Sequence, residues 1–452
     1  MPTPIMVAVA AGNLTAVETL LALKPVMARW KQNSYVLMQL PTHLNLQHIR
    51  EAARPVTREY EAALTSIYHR LIQHDSRLSL WWDERENNLV HWAAKFPPVF
   101  SQSFINAYLS LITSHGANIR VNLITGRDGY GRQLPGSTPL YMAAEHGSPC
   151  VAHWLCRQLT AEDINRGKPN QANKTPLAEA AAGLDRLIQH QQQLQQYGEG
   201  QVERWSRRFR HHKTITRTLL RAGAAPSISR MPNDTEEDRR QRQVVLTEYA
   251  TVLSELSEVV MSAINAALAP QRDHSMLLAR LLPLARHHDG AHPHPSPSNM
   301  AFGPHEAEAI GWKIGAFLHE PSATVAAIDE YLIDDSQLRR RVRAAIGHFV
   351  KSAATQTSSN REVMGGMASV GGVMVRVPLH CFAVRGSGGR VVLTGVREVI
   401  HRARLDEAAQ HGVEGVVKGF NEHLGDQDCQ FACRQLGRID RKTGLFVSLG
   451  ID

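Results

Sequence analysis

One short phrase recurs along the first half of the chain and restricts what it can fold into. Thr3-Pro4-Ile5-Met6-Val7-Ala8 stands at the start. It returns as Ser137-Thr138-Pro139-Leu140-Tyr141-Met142-Ala143-Ala144 and as Lys174-Thr175-Pro176-Leu177-Ala178-Glu179-Ala180-Ala181. Each copy offers a hydroxyl that can cap a helix and a proline whose fixed φ suits the first helical position. The alanines that follow let a second helix pack closely. A degenerate copy, Asn88-Leu89-Val90-His91-Trp92-Ala93-Ala94, keeps the apolar pair, the histidine and the alanines. Behind the phrase, Gly12 is followed by Val17, Leu20 and Leu21, and Gly147 by Val151, Trp154 and Leu155, spacings that fall on one helix face. In Ser114-His115-Gly116-Ala117-Asn118 and Arg221-Ala222-Gly223-Ala224-Ala225, glycine sits where a helix ends in a left-handed residue.

These features resemble the ankyrin repeat, in which Thr-Pro-Leu heads the first helix of a two-helix unit. The resemblance implies a mainly α fold with an ankyrin-repeat solenoid over residues 1–226, interrupted at about 25–87, 119–136 and 183–214. A generic alanine-rich bundle is the alternative, but it gives no reason for the Thr-Pro-Leu junction. The first interruption carries Leu44-Asn45-Leu46-Gln47-His48-Ile49 and then a helical pattern through Tyr60, Leu64, Ile67, Tyr68 and Leu71. The second alternates Ile119, Val121 and Leu123 and turns at Gly126-Arg127-Asp128-Gly129-Tyr130-Gly131, which reads as a β-hairpin finger with Arg127, Asp128 and Tyr130 as candidate binding residues. The third carries Gln191-Gln192-Gln193 and then Arg204, Arg207, Arg208, Arg210 and Lys213. This basic group is read as the exposed face of a lengthened helix pair, with an anion-binding patch as the alternative.

A chain of 452 residues is twice what these units need, so further structure follows. With 43% hydrophobic and 20% charged residues it has the balance of a globular protein with a real core. No apolar run of membrane-spanning length is read, and the start lacks the pattern of a classical secretory signal. Cys150, Cys156, Cys381, Cys429 and Cys433 are too few and too uneven for a disulfide framework, which fits a reducing compartment. The net charge of +8 favours anionic partners only in a general way, so contact with nucleic acid is expected at most indirectly.

After Met231-Pro232-Asn233-Asp234, residues 227–354 read as a helical region. Its longest helix places Val245, Leu246, Tyr249, Val252, Leu253, Leu256, Val259, Val260 and Ile264 at steps of three and four. His287, His288, His292 and His294 lie among prolines that break any fixed register, so they read as a linker and not a metal site. Helices resume over 306–318, 323–332 and 336–352, and 355–372 loosens.

From Val373 the period changes to that of strands, with a turn at Gly386-Ser387-Gly388-Gly389, and a helix is expected over 396–424. Residues 373–452 thus read as a small α+β domain. Asp426-Gln427-Asp428-Cys429 then places a cysteine at an expected helix start, where unpaired amides favour a thiolate. The order of a histidine before a hairpin, an acid after it, and glutamine and cysteine at a helix start is similar to that of the clan CE cysteine proteases, the ubiquitin-like-protein proteases and YopJ-type enzymes. That resemblance implies His380 as general base, Glu398 as orienting acid, Cys429 as nucleophile and Gln427 as oxyanion donor. Gln430 departs from the glycine of that family, and Cys381 from its tryptophan. The alternative is that His380 is a locally satisfied strand residue and Cys429 a small core residue.

Interrupted ankyrin units with such a tail resemble bacterial effectors of the Legionella ankyrin H kind. That implies delivery from the bacterial cytoplasm into a host cell and binding of a eukaryotic host protein, with host ribonucleoprotein components among the candidates. The alternatives are a non-catalytic interaction scaffold and a nucleic-acid-associated regulator. Neither a metal nor a small-molecule cofactor is implied.

Overall fold

The computed structural model describes residues 4–23, 37–41, 56–82, 87–95, 99–120, 125–127, 133–134, 136–168, 171–191, 199–284, 304–315, 317–318, 321–354, 364–370, 373–386, 388–420, 426–440 and 442–451. It divides into two compact units, Met1–Glu248 and Tyr249–Asp452. The protein is mainly helical and carries a small four-stranded antiparallel sheet. The expected residues Asp128 and Tyr130, the segment 44–49 and the histidines between 287 and 294 lie outside the described residues.

In the first unit the recurring phrase starts helices as its chemistry predicts. Helices α1 (Pro4–Ala10) and α2 (Leu14–Ala22) pack as a pair, and α3 (Arg58–His74) lies against α2. Next come α4 (Leu89–Lys95) and α5 (Gln102–Ser114), and then β1 (Thr125–Arg127) paired antiparallel with β2 (Gln133–Leu134). They are followed by α6 (Pro139–His146), α7 (Pro149–Gln158), the single turn α8 (Ala161–Ile164), α9 (Pro176–His190) and α10 (Glu199–Arg221). Thr138 caps the Tyr141 amide at 3.1 Å and Thr175 the Ala178 amide at 3.2 Å, each with proline next in line. One row of packed helices runs α4, α6, α9, and a second runs α2, α3, α5, α7, α10. The α3 segment, expected as inserted mass, takes a place in the second row and buries Leu64, Ile67, Tyr68, Leu71 and Ile72.

Polar ties join successive units. His91 donates from Nε2 to the Ser137 carbonyl at 3.0 Å, and Ser148 Oγ donates to the Ala94 carbonyl at 2.8 Å. At the position where one copy has His91 another has Tyr141, whose hydroxyl donates to Glu179 in the next unit. Each tie satisfies a group that burial would otherwise strand.

The long helix α11 (Glu236–Leu281) begins in the first unit and continues in the second, with Pro270 inside it. Val245, Tyr249, Val252, Leu253, Leu256, Val260 and Ile264 are buried along one face, as their spacing predicts. The stretch Glu236–Leu284 is also long and apolar enough by length and composition to cross a membrane, and 44% of its most apolar window is buried inside the protein. The second unit continues with α12 (Pro304–Gly315), α13 (Pro321–Tyr331) and α14 (Gln337–Ala354). Strands β3 (Met364–Val370) and β4 (Val373–Pro378) form a separate hairpin, so the end of the stretch expected to be loose is a strand. Strands β5 (Phe382–Arg385), β6 (Val391–Thr394), β7 (Leu436–Ile439) and β8 (Phe446–Ser448) make the sheet in the order β6-β5-β7-β8. Phe382, Ala383 and Leu436 are buried, and α14 packs on α15 (Val396–His411).

The helix expected to reach residue 424 stops at His411. Gly412 adopts φ 69° and donates its amide to the Ala408 carbonyl, a left-handed ending open to glycine.

Candidate functional site

Two clusters concentrate polar chemistry, one in each unit. The residues expected to be catalytic lie in the second unit, in an arrangement the sequence did not foretell. His380 is exposed in the short segment before β5, not on a strand. Glu398 lies in the first turn of α15, and its Oε2 is buried with no hydrogen-bond partner. Both flank Gly395: a Cβ built there would lie 2.7 Å from Glu398 Oε2 and 3.6 Å from His380 Cδ2. The base and acid of the expected set are therefore neighbours.

Cys429 has a different setting. It does not open a helix: it closes a single 3-10 turn, Asp426–Cys429, and Phe431 and Ala432 interrupt the chain before a second turn begins at Cys433. The extended Ala432 breaks the register, so Cys429 and Cys433 do not share one helix face. Cys429 therefore does not stand at the start of a helix, the place from which sequence reasoning expected a thiolate. Its side chain is 0% exposed, whereas Gln427 in the same turn is exposed. In this arrangement Cys429 is closed to solvent.

What surrounds that turn was missed by sequence reasoning. Arg404 on α15 is fully buried, and its guanidinium donates to the carbonyls of Leu253, Ser254, Val417 and Lys418 at 3.0–3.3 Å. It also donates to His401 Nδ1 at 2.9 Å, which makes that nitrogen an acceptor and puts the proton of a neutral ring on Nε2, where it is donated to Asp426 at 3.0 Å. Burial holds the His401 imidazole below its usual range, against the pull of Asp426. Burial likewise lowers the Arg404 pKa to about 10, while Cys429 and Asp426 act on it in the opposite sense. With both ring nitrogens engaged, His401 is not free to take a proton from a thiol. The cluster fixes the turn against α15, and in the same unit burial pushes Cys381 to about 12 and Cys433 to about 11.

The second cluster is a cavity of about 650 Å³ in the first unit, between the ends of α4 and α6 and one face of α10. Lys95 and His146 stand at the C-termini of their helices, where carbonyl ends favour positive charge. From α10 come Gly200, Glu203, Arg204, Arg207, Arg208, His211 and His212, which recur at three- and four-residue steps and share a face. Lining carboxylates are Glu145 and Glu203, the latter paired with Arg207 at 2.9 Å. Arg204 and Arg208 are exposed and have no carboxylate partner among the described residues. His212 is 2% exposed, with Nδ1 buried and unpartnered. Burial first, then Arg208, Arg186 and the neighbouring histidines, bring its pKa down to about 4. The same burial lowers His211 and His146.

The basic run noted in the sequence thus divides. Lys213 pairs with Glu248 at 3.4 Å, Arg210 is exposed outside the cavity, and Arg204, Arg207 and Arg208 face it; Arg217, beyond the run, joins Glu248 at 2.6 Å. Arg127 belongs to β1 of the finger. Among the described residues no three metal-ligating side chains converge. No protein-family model matches this chain, and no curated protein matches it.

Proposed function

We propose that this protein is a protein-binding scaffold whose first unit is an ankyrin-repeat array, and that its partner is a protein of a eukaryotic host cell. The observation that supports the reading is the pair of helix rows, tied from unit to unit by His91 and Tyr141 of the recurring phrase and by Ser148 at the head of α7. Such an array leaves one row and its loops free to vary, which is how repeat proteins select partners. The hairpin finger that carries Arg127 extends that surface. Resemblance to translocated ankyrin effectors supports delivery to the host as the setting.

A photo-crosslinking residue in place of Arg127 or Met142 tests this in host-cell extract. One discrete protein is expected to cross-link from both positions and not from Arg157, exposed on the second row. Absence of a discrete cross-link, or equal cross-linking from Arg157, would overturn the scaffold.

A second reading, a thiol hydrolase or acyltransferase, draws on the guanidinium of Arg404 near Cys429 and on the adjacent His380 and Glu398. It requires the turn at 426–429 to open. If the scaffold alone is right, a thiol-directed activity probe labels the parent and Cys429→Ala equally. Labelling lost in Cys429→Ala and in His380→Ala would instead establish the enzyme.

A further inference from the structure

We propose that the cavity between α4, α6 and α10 binds a compact polyphosphate, a small polar core bearing several phosphate groups, independently of what the repeats bind. Four permanent cations, Lys95, Arg204, Arg207 and Arg208, converge there against two carboxylates, Glu145 and Glu203. Arg207 and Glu203 neutralise one another, but among the described residues Arg204 and Arg208 have no carboxylate partner, on adjacent turns of one helix face. Planar guanidinium groups recognise phosphate oxygens through paired N–H donors. A volume of about 650 Å³ is in the range of small-ligand sites and too large for a single phosphate ion.

The lining also favours a ligand without a base. Among the described residues no phenyl or indole ring lines the cavity: Trp205 and Phe209 of the same helix stack on one another, and the Trp205 indole donates to the Leu187 carbonyl. Among the described residues a nucleotide base finds only imidazole and guanidinium planes, and the guanidinium groups are better matched to phosphate oxygens.

Three imidazoles make the site sensitive to pH. His146, His211 and His212 line it, and in the free protein burial disfavours their charged forms, helped by Lys95 at His146, Arg207 and Arg210 at His211, and Arg208 and Arg186 at His212. Glu145 and Glu179 oppose this at His146. A bound polyanion favours the protonated rings, so binding takes up protons and strengthens as pH falls.

Calorimetric titration of the full chain with inositol hexakisphosphate, beside ATP and inorganic phosphate, tests the proposal. The hexakisphosphate is expected to bind at one site, at least tenfold more tightly than ATP or inorganic phosphate, and more tightly at pH 5.5 than at pH 8. The double variant Arg204→Glu, Arg208→Glu is expected to lose at least tenfold in affinity. Arg210→Glu, exposed but outside the lining, is expected to lose far less. Both arginines are exposed, so circular dichroism of the double variant is expected to match the parent. No binding, binding indifferent to the double variant, or equal affinity for ATP would overturn the assignment. Tighter binding of a single-stranded RNA, lost in the same variant, would overturn it in favour of a nucleic-acid backbone. Loss of the scaffold's host partner would leave all these outcomes unchanged.

Discussion

His212 shows how one residue inherits its chemistry from neighbours distant in the chain. Its ring lies against Gly147 and Gly183, where a Cβ would come within 3.2 Å and 2.5 Å of imidazole atoms. The native ring is neutral because burial and nearby arginines bring its pKa down to about 4, against 6.5 when unfolded. Between those values the unfolded chain binds a proton that the folded protein does not. Stability therefore falls as pH drops from 6.5 towards 4 and levels off below. We predict that His212→Leu removes on the order of 2 kcal/mol of this acid sensitivity, read as the change in urea midpoint between pH 7 and pH 4.5. An equal acid loss in both proteins would show that the ring is already charged in the fold. Arg404 carries the same lesson. Nothing in Leu405-Asp406-Glu407 or its surroundings marks the preceding arginine as buried, because the four carbonyls that hold it come from residues 253–254 and 417–418.

Among the elements, helices were legible wherever a start signal and an apolar period coincided. Thr138 and Thr175 cap as their position before proline predicts, and α11 follows its period from Val245 to Ile264. Endings were less legible where several glycines offered a stop, as after His411. The turn at Cys429 was misread because Asp-Gln-Asp before a cysteine is an equally good start for a full helix or a single 3-10 turn. The extended backbone at Ala432 is what ends the turn there. Gly183 gives the element scale its test. In an exposed helix Gly→Ala stabilises by about 1 kcal/mol, but here the methyl would meet His212 at 2.5 Å. We predict that Gly183→Ala destabilises by roughly 1–3 kcal/mol, and that pairing it with His212→Ala recovers much of the loss. Thermal unfolding of the single and double variants reads both.

For the whole molecule, the thiols give a compact test. All five cysteines are free, and Cys156, Cys429 and Cys433 are buried. Burial pushes Cys150 upward and Cys156 and Cys381 to about 12. We predict that at pH 7.5 the native protein reacts slowly with a disulfide reagent at every thiol, and that all five react promptly once it is denatured. A thiol in the native protein that reacts within seconds and is absent from Cys429→Ala would reverse the scaffold reading in favour of the enzyme.

Short-range chemistry in the sequence was enough to determine the helices headed by Thr-Pro, the glycine stops between them, the apolar face of α11 and the strand period after Val373. Each of these is settled by neighbours within a few residues along the chain. Tertiary structure alone decided which polar groups meet. It set His380 and Glu398 around Gly395, buried Cys429 at the end of a turn that His401 and Arg404 hold through Asp426, and brought Lys95 and His146 to the arginine face of α10. Burial and charge pairing depend on elements a hundred residues apart, and a local pattern carries no record of which of them will become neighbours.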